Sequence, residues 1–219
     1  YRLTAPTGGA DVLLTSAVTA SQRLSPVSYI GANTFFFHQG EQISLTTLQK
    51  RLAAAGYANV KQVLAAGEFA VRGSIVDVFP MGSERPFRLD FFDDEIESIR
   101  WFDVDTQRSM ESAEEIRLLP GHEFPVDPEA LLAFRQRWRR EFAGDPKKSI
   151  VYCDIEKEIL PPGIEYYLPL FFDETAALTD YLPPNARVFL LGDIEAALQA
   201  FGRDMASRYK VLAADPQRP

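Results

Sequence analysis

A single cysteine, Cys153, and two histidines, His38 and His122, stand in 219 residues. One cysteine excludes an intrachain disulfide, so an apolar core must hold the fold, and a reducing cytoplasm is the expected home. The histidines lie far apart in sequence and neither belongs to a spaced ligand set, so no metal centre is expected. Positive charge is also scarce, 23 Lys+Arg against 31 Asp+Glu, for a formal charge of −8. Such a chain is a poor whole-body match for nucleic acid, whose phosphates call for clustered Lys and Arg, although a local basic patch stays open. No apolar run approaches the roughly 18–20 residues of a bilayer span, and no charged-then-apolar leader opens the sequence. No G-x-x-x-x-G-K-[ST] occurs, so no loop of backbone amides with a Lys is offered to phosphate and no nucleotide cofactor is expected. "PTGGAD" has adjacent glycines without that Lys and reads as a turn. The sequence starts at Tyr1 and ends on "AADPQRP" with no evident closing element, and reads as an internal piece of something larger.

What is present divides into three parts. Residues 1–33 contain "DVLLTSAVTASQRL", a short buried strand (Val12 to Leu14) leading into a loop or helix, the step of a parallel α/β layer that cannot close a sheet alone. Residues 34–119 read as an α+β module. Phe35 to Phe37 form a strand, and "SLTTLQKRLAAAGY" a helix with Ser44 as N-cap, Leu45, Leu48 and Leu52 on its apolar stripe and Gly56 in the left-handed closing position. Four strand-like runs follow, "GEFAVRGSIVDVFP", "PFRLDFF", "EIESIRWF" and "EEIRLLP", separated by the turn-forming stretches "MGSER", "DD" and "DTQRSMES". Residues 120–219 return to α/β character. Asp127 caps a helix with Pro128 and Glu129 in its first turn and Leu131, Phe134, Trp138 and Phe142 on its apolar face. Val188 to Leu191 read as a strand, followed by a helix capped by Asp193 with Ile194, Leu198, Phe201 and Met205 inward. The fold class is therefore α/β with an inserted α+β module.

No catalytic constellation emerges from the pattern. His122 and Glu123 in "PGHEF" read as packing or turn residues, and Cys153 in "IVYCDIEK" lies on an apolar stretch without a basic activator. The carboxylate pairs Asp93–Asp94 and Glu114–Glu115 fall at turns and strand edges, where they are solvated. The surface of the middle module is more informative. Phe87, Leu89 and Phe91 alternate with Arg88, Asp90 and Phe92, the period of a half-buried strand, so Phe92 falls on the polar face beside Arg88, about 13 Å along at ~3.3 Å per residue. Arg72 sits in "AVRGS" on a neighbouring run, beside a glycine that suggests a bulge or a close backbone approach. Two arginines and a phenylalanine on one face suit a protein-binding patch. They equally suit two solvated arginines paired with Asp90 or Glu95, with Phe92 covering the hairpin turn.

At these residues the chain resembles a known family. "GEFAVRGSIVDVFPMGSERPFRLDFFDDEIESIRWFDVDTQRS", then "LLPGHEFP" and "LPPGIEYYLPLFF", are similar to the amino-terminal part of the bacterial transcription-repair coupling factors (Mfd), a region homologous to the excision-repair protein UvrB. The resemblance implies a truncated RecA-like (UvrB-like) α/β domain, residues 1–33 and 120–219, interrupted by a helix-plus-antiparallel-sheet module at 34–119 that binds UvrA, the damage-recognition ATPase. Carried over on the motifs "VRGS" and "PFRLDFF", the UvrA contacts fall on Arg72, Arg88 and Phe92. The resemblance further implies a non-catalytic adaptor, with RNA polymerase and DNA engaged by domains absent from this sequence. The alternative is a UvrB-like helicase fragment holding nucleotide or DNA, although "RLLPGHEFP" leaves no room for the UvrB hairpin that enters DNA.

Overall fold

The computed structural model describes residues 12–212 and 215. In chain order the regular elements are α1 (Ala17–Ala20), α2 (Val27–Ala32), β1 (Phe35–His38), α3 (Leu45–Ala54), β2 (Ala58–Asn59), β3 (Glu68–Arg72), β4 (Ile75–Val78), β5 (Phe87–Phe92), β6 (Glu95–Phe102), β7 (Ser109–Ala113), β8 (Glu115–Leu118), α4 (Pro128–Glu141), α5 (Ile150–Glu156) and α6 (Ile194–Leu212). Residues 28–126 form one compact unit, and residues up to 27 with those from 127 onward form the other. Among the described residues no helix is long and apolar enough to cross a membrane.

In the 28–126 unit local chemistry sets each element. The Ser44 hydroxyl accepts the Thr47 amide at 3.2 Å and opens α3, whose Leu48 and Leu52 are buried. The helix ends before Gly56, at φ +85°, where a side chain would be strained and its Cβ would sit 2.6 Å from the His122 ring. Strands β2 to β7 make one sheet in sequence order, parallel between β2 and β3 and antiparallel elsewhere. A separate antiparallel pair joins β1 to β8, Phe37 opposite Ile116.

Two details correct the sequence reading. "GEFAVRGSIVDVFP" is two strands rather than one run: Arg72 pairs with Ile75 across Gly73–Ser74, and Gly73, at φ +62°, takes the first central position of a two-residue hairpin loop. "DTQRSMES" supplies β7 as well as a turn; its exposed polar residues suit a sheet edge, which alternation does not reveal. One face of the large sheet closes on α3 and the β1–β8 pair through Phe69, Val76, Val78, Phe87, Leu89, Phe91, Ile96 and Ile99. A smaller core of Val63, Ala70 and Phe102, with Val60, Phe79 and Val104 against it, covers part of the other face.

In the second unit Asp127 caps α4 by accepting the Ala130 amide at 3.0 Å. Phe134 and Trp138 of α4 are buried beside Tyr152 of α5 and Phe171, with ring centroids 4.7–6.1 Å apart. Leu24 and Ala176 form an isolated antiparallel bridge, and the Tyr181 hydroxyl donates to the Ser25 carbonyl at 2.7 Å. The expected strands at Val12–Leu14 and Val188–Leu191 are not formed, and these side chains are exposed. Asp193 does cap α6, accepting the Ala196 amide at 2.9 Å, but the face expected to point inward is mostly open, with Leu198 and Met205 exposed. The physical reason is common to all three. A buried strand needs neighbours for its backbone groups, and a helix face buries only against something apolar. Among the described residues no neighbouring strand pairs with either run, so the truncated RecA-like sheet is not seen.

Candidate docking face

The outer face of the six-stranded sheet carries Arg72, Arg88 and Phe92. β5 alternates as its sequence demands: Phe87, Leu89 and Phe91 are buried, whereas Phe92, the last residue before the Asp93–Asp94 turn, is 69% exposed. The turn joins Phe92 to its partner Glu95. Asp93 takes φ +52° there, a conformation that Asp tolerates better than most residues.

Arg88 is largely shielded from solvent and Arg72 half-exposed, and neither is hydrogen-bonded to Asp90 or Glu95. Asp90 accepts from the Ser98 hydroxyl at 2.9 Å and Glu95 from the Gln42 amide at 2.8 Å. Both guanidiniums instead reach Asp77, whose side chain is fully buried in β4, directly across from Arg88. Arg88 donates from Nε to Oδ1 at 2.6 Å and from Nη2 to Oδ2 at 2.9 Å, and Arg72 donates from Nη2 to Oδ2. Arg88 Nη1 also reaches the Gln107 carbonyl at 3.1 Å and the Ser109 hydroxyl at 3.2 Å, and its guanidinium lies 5.0 Å from the Phe102 ring centroid. Hydrogen bonding to Asp77 is the chief cause holding its pKa above the ordinary value, against the opposing effect of burial. Arg88 is 12% exposed and Arg72 is 48% exposed.

Asp77 is the residue that sequence reasoning missed. It sits between Val76 and Val78 in a strand that reads as an ordinary alternation, yet its outward-facing side chain, across from Ala70 of the small second core, is fully buried. The single available signal was an acid on the run that also carries Arg72. Among the described residues no group of three or more His, Cys, Asp or Glu is gathered so as to hold a metal.

The large sheet thus closes one face on a helix and shows an arginine and an aromatic on the other. Residues 35–124 match the UvrB interaction domain. Over nearly its whole length the chain is similar to transcription-repair-coupling factors. It is 43% identical to that of Escherichia coli (strain K12) over 98% of its own residues and 19% of the relative. Against the Haemophilus influenzae protein the identity is 44%, over 95% of the chain and 18% of the relative. Against the Bacillus subtilis protein it is 32%, over 84% and 17%. The chain thus spans under a fifth of the length of these curated relatives.

Proposed function

We propose that this chain is a non-catalytic adaptor region of a transcription-coupled DNA repair factor, and that its 28–126 unit recruits UvrA through the outer face of the sheet. The observation that carries the reading is Phe92: its strand neighbours Phe87, Leu89 and Phe91 are buried, and it alone of the four aromatic or aliphatic side chains of β5 stands in water. Aromatic and arginine side chains at the centre of an interface supply most of its energy, so Phe92 and the arginines beside it form a small hot spot. The match of residues 35–124 to the UvrB interaction domain supports the same reading, since a domain of that description suits a contact with another repair protein. RNA polymerase and DNA would be engaged by regions outside this sequence.

The test is calorimetric titration of the chain with purified UvrA. Saturable binding that falls at least tenfold in Phe92→Ala, with an unchanged melt, is the expected result. A parallel titration with ATP should show no binding. Saturable ATP binding at micromolar concentration would replace the adaptor reading with that of a UvrB-like fragment holding nucleotide.

A further inference from the structure

Positive charge is scarce in the chain as a whole but gathers at one end of the second unit. Residues 135–148 hold six of the 23 Lys and Arg and only two of the 31 acids, Glu141 and Asp145. Arg137 is taken up by the fold, donating to the Leu170 carbonyl at 3.1 Å and to Asp173 at 2.5 Å. Arg139 and Arg140 on the last turn of α4, and Lys147 and Lys148 in the single 3-10 turn Pro146–Lys148, are exposed. Glu141 accepts from Arg140 Nε at 2.9 Å, and Asp145 is spent on the Lys147 backbone amide at 3.0 Å. Among the described residues no acid forms an ion pair with Arg139, Lys147 or Lys148. A helix C-terminus favours cations on its last turn, which accounts for the arginines but not for two lysines beyond it.

Aromatic rings meet the cations here. Trp138, Phe142 and Lys148 line the hollow between the end of α4 and that turn. Tyr167 packs on Trp138 and Phe142 with ring centroids 5.1 and 6.2 Å apart. Tyr166, one residue before it, is 90% exposed, and its ring rests beside Gly163, where a Cβ would come within 3.4 Å of it. A ring that open adds almost nothing to the core. We propose that this end of the second unit is a contact site for single-stranded nucleic acid, with Arg139, Arg140, Lys147 and Lys148 against backbone phosphates and Tyr166 stacked on an unpaired base. Cations that follow a backbone and a ring with a free face are the two devices that hold a single strand without reading its sequence. A duplex keeps its base faces in the stack, so it can use only the cations. The net charge of −8 keeps the contact weak. The site lies in a different unit from the docking face and does not rest on that reading. It adds to the DNA engagement assigned above to regions outside this sequence.

The experiment is fluorescence anisotropy of a labelled 20-nucleotide oligo-dT, and of a duplex of the same length, titrated with the full 219-residue chain at several salt concentrations. The wild-type chain should bind the single strand in the micromolar range at low salt, more tightly than the duplex, and four phosphate contacts give a log–log salt slope of about −3. The lysines are the pair to reverse, because Arg139 lies over the Tyr152 ring, 5.6 Å from its centroid. Lys147→Glu with Lys148→Glu should weaken binding at least tenfold, flatten the slope by about 1.4 and leave the melt unchanged. Tyr166→Ala should weaken the single strand at least about fivefold, the lower end of base–aromatic stacking, with the slope unchanged, and Tyr166→Phe should keep the wild-type affinity. Lys50→Glu with Arg203→Glu, exposed cations elsewhere that change the net charge equally, should cost no more than about twofold. A control pair that weakens binding as much as the lysine pair would show that total charge, and no site, is being read, and would overturn the proposal. A Tyr166→Ala chain that binds both oligonucleotides as the wild type does overturns the stacking role and the single-strand preference. A wild-type chain that binds neither at low salt overturns the site outright, whatever its titration with UvrA gives.

Discussion

Two short apolar runs, "FRLDFF" at 87–92 and "VFLL" at 188–191, meet opposite fates. The first is a central strand with Phe87, Leu89 and Phe91 in the core; the second has no regular structure, and Phe189 is 79% exposed. The second is the more continuously apolar, so hydrophobicity does not explain the difference. Connectivity does. β5 has both neighbours within reach in sequence, β4 before it and β6 across a two-residue turn, and antiparallel hairpins close at low entropic cost. A parallel-type strand needs a neighbour brought from far along the chain. The lesson is that an apolar run specifies a strand only together with the partners that take up its backbone groups.

The comparison is sharpest at Leu89. It is buried beneath the sheet, so Leu89→Ala removes apolar volume from a packed core and leaves a cavity. The expected loss is about 3 kcal/mol, read as a lowered denaturant midpoint with unchanged slope. A loss below about 1 kcal/mol would show that the face assigned to the core is loosely packed.

The next effect is alkaline. Tyr57, just past α3, donates from its hydroxyl to the Leu119 carbonyl at 2.6 Å and accepts the Met81 amide at 3.1 Å, tying three loops of the 28–126 unit together. Burial raises its pKa from 10.0 to about 12, partly offset by the Met81 amide. The folded value lies above the unfolded one, so this contribution is complete below pH 10 and is lost as pH rises toward 12, at up to about 1.4 kcal/mol per pH unit. Between pH 10 and 12 the wild-type chain should therefore lose about 2 kcal/mol more than Tyr57→Phe does, measured by urea unfolding at each pH. Parallel curves would mean that the phenol is solvated.

Both residues belong to the part of the molecule whose sequence is most readable. Helix α3 was legible because Ser44, the leucine stripe and Gly56 all point to one helix, and β5 because its alternation fixes its register. Gly73 was legible as a break but misread in kind, since "RGSI" lacks the Asn-Gly or Asp-Gly pair that most strongly marks a hairpin. Half of the candidate site was visible as well: Phe92 on the wrong face for a core, and two arginines near it. What could not be read was that a buried carboxylate organises those arginines. Asp77 is fully buried although it faces outward from β4, across from Ala70 of the small second core and bonded to arginines of two other strands, a tertiary fact with no local pattern. The strands expected at Val12–Leu14 and Val188–Leu191 failed for the converse reason, since the pattern is present and, among the described residues, no strand pairs with either run.

Phe92→Ala tests the exposed side of β5 against the buried side. Its ring is already in water, so truncation removes no core contacts, and stability should change by less than about 1 kcal/mol, the span of strand propensity. Affinity for UvrA should fall by about 2 kcal/mol or more, as for other buried aromatic anchors. A Phe92→Ala melt that drops as far as that of Leu89→Ala would place the ring inside the fold and remove it from any docking surface.

The smallest effect belongs to the run that found no partner. Leu190 is 70% exposed, so Leu190→Ser has almost no burial to lose, and its backbone pairs with no ladder that a polar side chain could disturb. The expected stability change is within about 0.5 kcal/mol, the range of ordinary surface substitutions. The amides of 188–191 should also exchange with solvent far faster than those of β5, since open backbone is protected only weakly. A loss of 2 kcal/mol or more, or slow exchange across the run, would mean that these side chains are covered in solution. The contrast between the two runs would then be one of which partner covers them, and no longer one of paired against unpaired strand.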